Sequence, residues 1–206
     1  MKRGATDIAA DAGDSPRVTP RGDERRQKII EATAALVREL GPSAVTHRAV
    51  ASRAGCSLSA TTYYFSSLED LLHQAGRVNI SRWASRAERV AERVEEETGR
   101  LDVDDRIEHL LDATLPKDET MIGHYGQLIS AGASDPVSRA YRTGRSRLNT
   151  AVGRVLTHLG VALPADLVIA VVDGAAVSAL SEGLDVRETA RKLLLMLAEV
   201  RCANDQ

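Results

Sequence analysis

Apolar side chains recur along this chain at steps of three and four residues, which is the spacing of a helix with one buried face. From Asp23 to Leu40 the positions Ile29, Ala32, Leu36 and Leu40 carry that period, flanked by Ile30 and Val37. Gly41-Pro42 stops the helix. Thr46 is placed to cap a second helix running to Ala54, with Val50, Ala51 and Ala54 facing inward. Gly55 suits the left-handed turn that closes it. Ser57 then caps a third, Leu58 to Tyr64. A long helix starts at Ser67 and keeps helical spacing through Leu72, Gly76, Ile80, Trp83, Ala87, Val90 and Val94 before Gly99. Further helices are predicted over 103–115, 119–133, 136–159, 164–182 and 186–201, punctuated by Pro116, Ser134-Asp135-Pro136, Gly160 and Gly183. No run alternates with the period of a strand, and no segment repeats. The pattern predicts an all-α chain of about nine helices. A three-helix head over 23–70 would stand on a helical body over 71–206.

Two short helices around a glycine turn have the geometry of a helix-turn-helix, in which the second helix enters the major groove. Here the stretch is VTHRAVASRAGCSLSATTYYFSSLEDLL, Val45–Leu72. Its second helix has no Lys or Arg. Readout would then fall to the hydroxyls of Ser59 and Thr62, to Leu58 and Ala60 against thymine methyls, and to Tyr63 and Tyr64 at phosphates, beside the cap residue Ser57.

This stretch resembles the DNA-binding domain of the TetR family of bacterial transcription regulators. The residues that carry the match are Gly41, Thr46, Arg48, Val50, Ala51, Ala54, Gly55, Ser57, Tyr64, Phe65, Ser67, Glu69, Leu71 and Leu72. It is strong over Arg25 to Ala75 and weak beyond. The resemblance implies that Thr46 touches phosphate, that Arg48 enters the groove and favours guanine, and that His47 makes a weaker contact beside it. Leu68 stands where the family often has a phosphate-clamping lysine. Phe65 and Leu71 read as core.

Composition narrows the picture. The net charge is −2 and hydrophobic residues make up 43% of the 206 positions, so a real core is available and any DNA affinity must come from a local patch. Over Arg21–Gln74 the seven basic side chains (Arg21, Arg25, Arg26, Lys28, Arg38, Arg48, Arg53) barely exceed the six acidic ones (Asp23, Glu24, Glu31, Glu39, Glu69, Asp70). Residues 1–22 have no period and read as a flexible basic arm; Arg17 and Arg21 at its end, with Arg25 and Arg26 running into the next helix, could reach phosphates or a minor groove. Two cysteines, Cys56 and Cys202, make no disulfide framework, and Cys56 reads as a small buried hydrophobe. No apolar run is long enough for a membrane span and no signal-peptide core is present, so a cytoplasmic protein is expected.

The two C-terminal helices are rich in apolar and small residues. Through the family resemblance they imply a homodimer built on Leu167, Val171, Gly174, Ala175, Ser178, Ala190, Leu194 and Leu197. Two heads related by a two-fold axis would read a palindromic double-stranded DNA operator. The resemblance also implies an effector pocket between the long helix and the middle helices. The bulky or polar residues there are Trp83, Met121, His124, Tyr125, Leu128, Tyr141, Arg145, Asn149 and Asp173. With aromatics at only 3% of the chain, such a pocket is expected not to rely on stacking.

The sequence leaves the unknown small-molecule effector open. It equally leaves open repressor against activator, and a helix-turn-helix protein that senses no ligand. A helical enzyme is disfavoured: no Gly-rich phosphate loop, HExxH, CxxC or nucleophile elbow occurs, and the five histidines have no metal-ligand spacing. No catalytic residue, cofactor or metal is expected.

Overall fold

The computed structural model describes residues 20–99, 101–117 and 121–204, the last seven as backbone only. All of the regular structure among them is helical: α1 Pro20–Leu40, α2 His47–Ala54, α3 Leu58–Tyr64, α4 Leu68–Glu96, α5 Val103–Thr114, α6 Met121–Ser130, α7 Asp135–His158, α8 Ala165–Glu182 and α9 Val186–Asn204, with short 3-10 turns at Pro42–Ala44 and Ala131–Ala133.

The caps follow the sequence closely. The hydroxyls of Thr46, Ser57 and Ser67 accept hydrogen bonds from the backbone N–H of Ala49, Ala60 and Asp70 at 3.1, 3.2 and 3.0 Å, each satisfying a donor with no partner inside the helix. Gly55 sits at φ 63°, ψ 39°, a left-handed conformation that costs a side chain but not glycine.

Several boundaries differ from those the pattern predicts. α1 begins at Pro20 rather than Asp23, since a first-turn proline has its φ already fixed and lacks only an N–H that would find no partner. Arg21 therefore lies on a helix and not on an arm; Arg17, with the rest of residues 1–19, lies outside the described residues. α4 ends at Glu96, where Glu97 turns extended at ψ 124°, before Gly99 is reached. The segment predicted as one helix to Ala133 leaves the α-helix after Ser130 and tightens into a 3-10 turn.

One apolar core runs from Ile29 in α1 through Trp83, Leu111 and Val152 to Val172 and Leu194. The 29-residue α4, about 43 Å long at 1.5 Å per residue, joins head to body and packs along α7. Two glycines set how closely they approach. A Cβ at Gly76 would lie 2.8 Å from the Ala140 Cβ, and one at Gly144 would lie 2.5 Å from the Ile80 Cγ2. Along the outer edge of the same contact, Arg147 donates to Glu88, Ser81 and Ser85, and Arg154 donates to both Glu95 oxygens. The Arg147 hydrogen bond holds the Glu88 carboxyl below its ordinary value. Among the described residues no helix is long and apolar enough to cross a membrane.

Candidate nucleic-acid interface and internal polar cluster

α2 and α3 form one outward-facing surface. Thr46, Arg48, Ser57, Leu58, Ser59, Thr62 and Tyr63 are exposed on it, Tyr63 at 79%. Arg48 makes no hydrogen bond or ion pair among the described residues, so its five donors are available. The other bases of the head are more committed. Arg53 pairs with Glu39, Arg38 donates to Asn79 at 2.7 Å, and the Arg26 guanidinium lies 5.2 Å over the Phe65 ring. Arg25 is exposed on α1.

Not every residue expected on this surface is free to read bases. His47 is half-buried, and its Nδ1 lies 3.1 Å from the Thr61 hydroxyl. The Thr61 proton goes to the Leu58 carbonyl at 2.8 Å, so the histidine Nδ1–H donates. His47 thus ties α2 to α3. Ala60 and Tyr64 are half-buried, with Tyr64 edge-on to Tyr63 at 5.0 Å. Thr62 donates back to the Ser59 carbonyl at 3.1 Å, and the Ser57 and Ser59 hydroxyls lie 2.9 Å apart. These hydroxyls keep their remaining lone pairs for water or a ligand. Cys56 is half-buried against the core rather than fully inside it; Phe65 and Leu71 are core.

The body places its scarce aromatics together. Trp83 lies 4.8 Å from the His124 ring and 5.0 Å from Tyr141, and His124 lies 4.9 Å from Tyr125. The chain has few aromatic side chains, but three of them meet here with one histidine. Beside them is a cavity of about 20 Å³, room for roughly one water, lined by Trp83, Arg86, Thr114, His124, Leu128, Arg145, Leu148, Ile169 and Asp173. Of the nine residues singled out from the sequence, Trp83, His124, Leu128, Arg145 and Asp173 line it. Tyr125 and Tyr141 back the rings. Met121 is half-buried against the core, and Asn149 accepts from Arg145 at 3.1 Å. The Trp83 indole N–H is buried without a partner.

Asp173 is the charge at the centre of this cluster. Burial raises its carboxyl above the ordinary value, although Arg145, His124, Tyr125 and Arg86 pull the other way. Burial and the neighbouring Asp173 push the Tyr125 hydroxyl up. Because the folded-state value of Asp173 lies above the unfolded one, its stabilising contribution is complete below the unfolded value and lost as pH rises through the folded one. Asp173→Asn is therefore expected to raise the melting temperature at neutral pH, and the advantage should vanish as pH falls to the ordinary carboxylate range. Melting curves from pH 4 to 8 check this; a variant less stable throughout would show that Asp173 is held by its partners more than it is penalised by burial.

Sequence periodicity missed the connection between this cluster and the head. Asn79 is fully buried in α4 and accepts from Arg38 of α1. Its amide donates to the Ala34 carbonyl at 3.3 Å and to the Gln127 Oε1 of α6 at 3.1 Å. The same Gln127 oxygen accepts from the Tyr141 hydroxyl at 3.1 Å. A hydrogen-bonded chain thus runs from the head helix through α4 and α6 to the aromatic cluster. Polar residues at positions facing inward were the available signal.

The outer faces of α8 and α9 are apolar and unpartnered. Leu167, Ala170, Gly174, Val177 and Ser178 are exposed and Val171 half-buried, a stripe at helical spacing on α8. On α9, Leu193 at 39% and Met196 at 59% exposure continue it, with Leu197 half-buried. Ala175, Ala190 and Leu194, expected on a dimer face, instead point into the subunit core, at 1%, 0% and 3% exposure. Their helical phase is turned about 100° per residue from the outward stripe. The exposed residues of the outward stripe include Ala170, Val177, Leu193 and Met196.

Comparison with known proteins gives two kinds of likeness. Residues 29–75 match the family described as bacterial regulatory proteins, tetR family. Among solved structures, the fold is similar to that of a transcriptional regulator from Saccharomonospora viridis in complex with choline, at 19% identity over 85% of this chain and 96% of that one, TM-score 0.66. It is similar to a TetR-family transcriptional regulator from Mesorhizobium loti, at 16% identity over 88% and 98%, TM-score 0.65. A third is the multidrug binding protein EbrR complexed with ethidium, at 24% identity over 84% and 98%, TM-score 0.58. No curated protein sequence matches.

Proposed function

We propose that this chain, a TetR-family regulator by its head and its fold, acts as a cytoplasmic homodimeric repressor that leaves a palindromic operator when a small molecule binds its body. The observation that carries the DNA reading is the exposed α2–α3 surface with an unpaired Arg48, inside the segment that matches the family. Arg48 would read a base bidentately, Tyr63 and the helix starts would hold phosphates, and Arg25 would add charge from α1. Such a regulator needs no cofactor.

The apolar stripe on α8 and α9 supports a two-fold four-helix contact with a second copy. A face of leucines, valine, methionine and small residues on two adjacent helices favours another such face over water. The effector would open the Trp83–His124–Asp173 cluster, whose cavity of about 20 Å³ holds roughly one water when closed. Its contacts there would shift the balance between two head positions through α4 and the Asn79–Gln127–Tyr141 chain. The similar structures in complex with choline and with ethidium support a small-molecule ligand. Band shifts on the chain's own upstream DNA, read with the mass of the complex, test the proposal. Two copies per site are expected; a monomer on DNA, or no shift, would overturn it.

Few cations are free on the DNA surface of each head, which limits counterion release. A slope of log affinity against log salt between about −3 and −6 is expected for the dimer. A slope near about −10 would mean that many more phosphates are neutralised than this surface can reach.

A further inference from the structure

Five helices, α4 to α8, meet at the small cavity beside the aromatic cluster. Its inner wall is buried and consists of Trp83, His124, Leu148 and Ile169. Arg86, Thr114, Leu128, Arg145 and Asp173 are half-buried and form the side nearer solvent. A molecule entering from that side reaches Trp83 last.

The charged groups of the cavity already have partners. Arg86 donates to the Thr114 carbonyl at 3.1 Å, and Arg145 donates to Asn149 at 3.1 Å. Asp173 interacts with Arg145, His124, Tyr125 and Arg86. The Thr114 hydroxyl donates to the Leu110 carbonyl at 2.7 Å. A further cation would compete with two guanidinium groups for one carboxylate, and a further anion would compete with that carboxylate. Either would also have to shed its hydration. The unmet need is of another kind. The Trp83 indole N–H, in a side chain at 4% exposure, has no hydrogen-bond partner among the described residues. An indole N–H can only donate, and a buried donor left unpaired destabilises the fold. Around it, Leu128, Leu148 and Ile169 offer apolar surface.

We propose that the ligand of this cluster is an uncharged, mainly apolar molecule with a carbonyl-type oxygen, which accepts a hydrogen bond from the Trp83 indole while its body packs on Leu128, Leu148 and Ile169. This names the chemical class of the effector and rests on the reading of the cluster as the effector site. The closed cavity of about 20 Å³ has to widen for such a molecule. The half-buried Leu128 of α6 and Arg145 of α7 are the side chains placed to give way.

Trp83 is the chain's one tryptophan, so its indole N–H gives a single signal in a proton–nitrogen correlation NMR spectrum. The full chain is titrated, without DNA, with acetophenone. α-Methylstyrene, with CH2 in place of the carbonyl oxygen, is the control that lacks an acceptor; 1-phenylethylammonium and benzoate are the charged controls. Acetophenone is expected to bind saturably, move the indole proton downfield and slow its exchange with solvent, and α-methylstyrene to do neither of the last two. Trp83→Phe keeps a ring and removes the N–H. It should bind acetophenone about threefold to tenfold more weakly and α-methylstyrene as the parent does. If that variant does not fold, the indole signal of the parent decides alone. An indole signal that acetophenone leaves in place would overturn the proposal, as would one that either charged probe moves at lower concentration than acetophenone. A charged probe that wins in this way leaves the effector reading standing, whereas a failure of operator binding does not touch a titration made without DNA.

Discussion

Replacing Arg48 with alanine is expected to weaken operator binding by about 30-fold or more, with folding unchanged. A bidentate arginine–guanine contact contributes about 1–3 kcal/mol of discrimination, and a two-fold dimer loses it twice. Arg48 is exposed on α2 and pairs with nothing among the described residues, so its removal leaves no buried group unsatisfied and no cavity. The circular dichroism spectrum and melting temperature should be those of the parent. Binding by fluorescence anisotropy separates the outcomes. A loss that is the same on operator and on random DNA would make Arg48 a phosphate contact; no loss at all would remove it from the interface. His47→Ala should behave differently. His47 joins α2 to α3 through Thr61, and its loss should show in stability as well as in affinity.

Gly144→Val is expected to be the most damaging single change in the body, lowering stability by about 3 kcal/mol and the melting temperature by about 6–12 °C. Gly144 is where α7 meets α4, and even a Cβ there would approach Ile80 Cγ2 at 2.5 Å and Cγ1 at 2.8 Å. Ile80 is β-branched and buried at 3% exposure, so it has few rotamers to move into. On an exposed helix surface, replacing glycine would stabilise by up to about 1 kcal/mol; the clash reverses the sign. The milder Gly144→Ala should be destabilising beside Ile80 and close to neutral in an Ile80→Ala background. A double-mutant cycle by thermal melting measures that coupling. Additive effects would mean that the helices slide apart freely at this point.

The head was the most legible part of the chain because its signals are local. Thr46, Ser57 and Ser67 cap helices within three residues of themselves, and Gly55 declares its turn by lacking a Cβ. Helix order in the body was legible for the same reason, from proline, glycine and the apolar period. What could not be read was anything that depends on which helix lies beside which. Asn79 and Gln127 are marked only by facing inward; that they lie 48 positions apart and share a hydrogen bond in the core is set by the packing of α4 on α6. Gly144 carries no mark that its neighbour is Ile80. Ala175 was misjudged because nearly every side of α8 is apolar or small, and Ala190 and Leu194 because they sit in one apolar stripe of α9 with Leu193 and Leu197, so composition does not tell the inward face from the outward one. The aromatic cluster shows the same limit. Trp83, Tyr125 and Tyr141 are spread over 58 positions and only the packing of α4, α6 and α7 brings them together.

The basic side chains of the head are also more committed than their count in the sequence suggests. With Arg53 on Glu39 and Arg38 on Asn79, the uncharged α3 leaves Arg48 as the one α2–α3 cation unpaired among the described residues. Recognition then rests on shape, hydroxyls and one guanidinium per head, and affinity on having two heads.

Sequence-specific DNA binding is tested most directly by the ratio of affinities for the chain's own upstream palindrome and for a scrambled duplex of the same length at physiological salt. Specific recognition by two heads predicts a ratio of at least about 10³, falling by about 30-fold or more when Arg48 is replaced by alanine. A ratio near one for the parent chain, with the protein folded and dimeric, would contradict it.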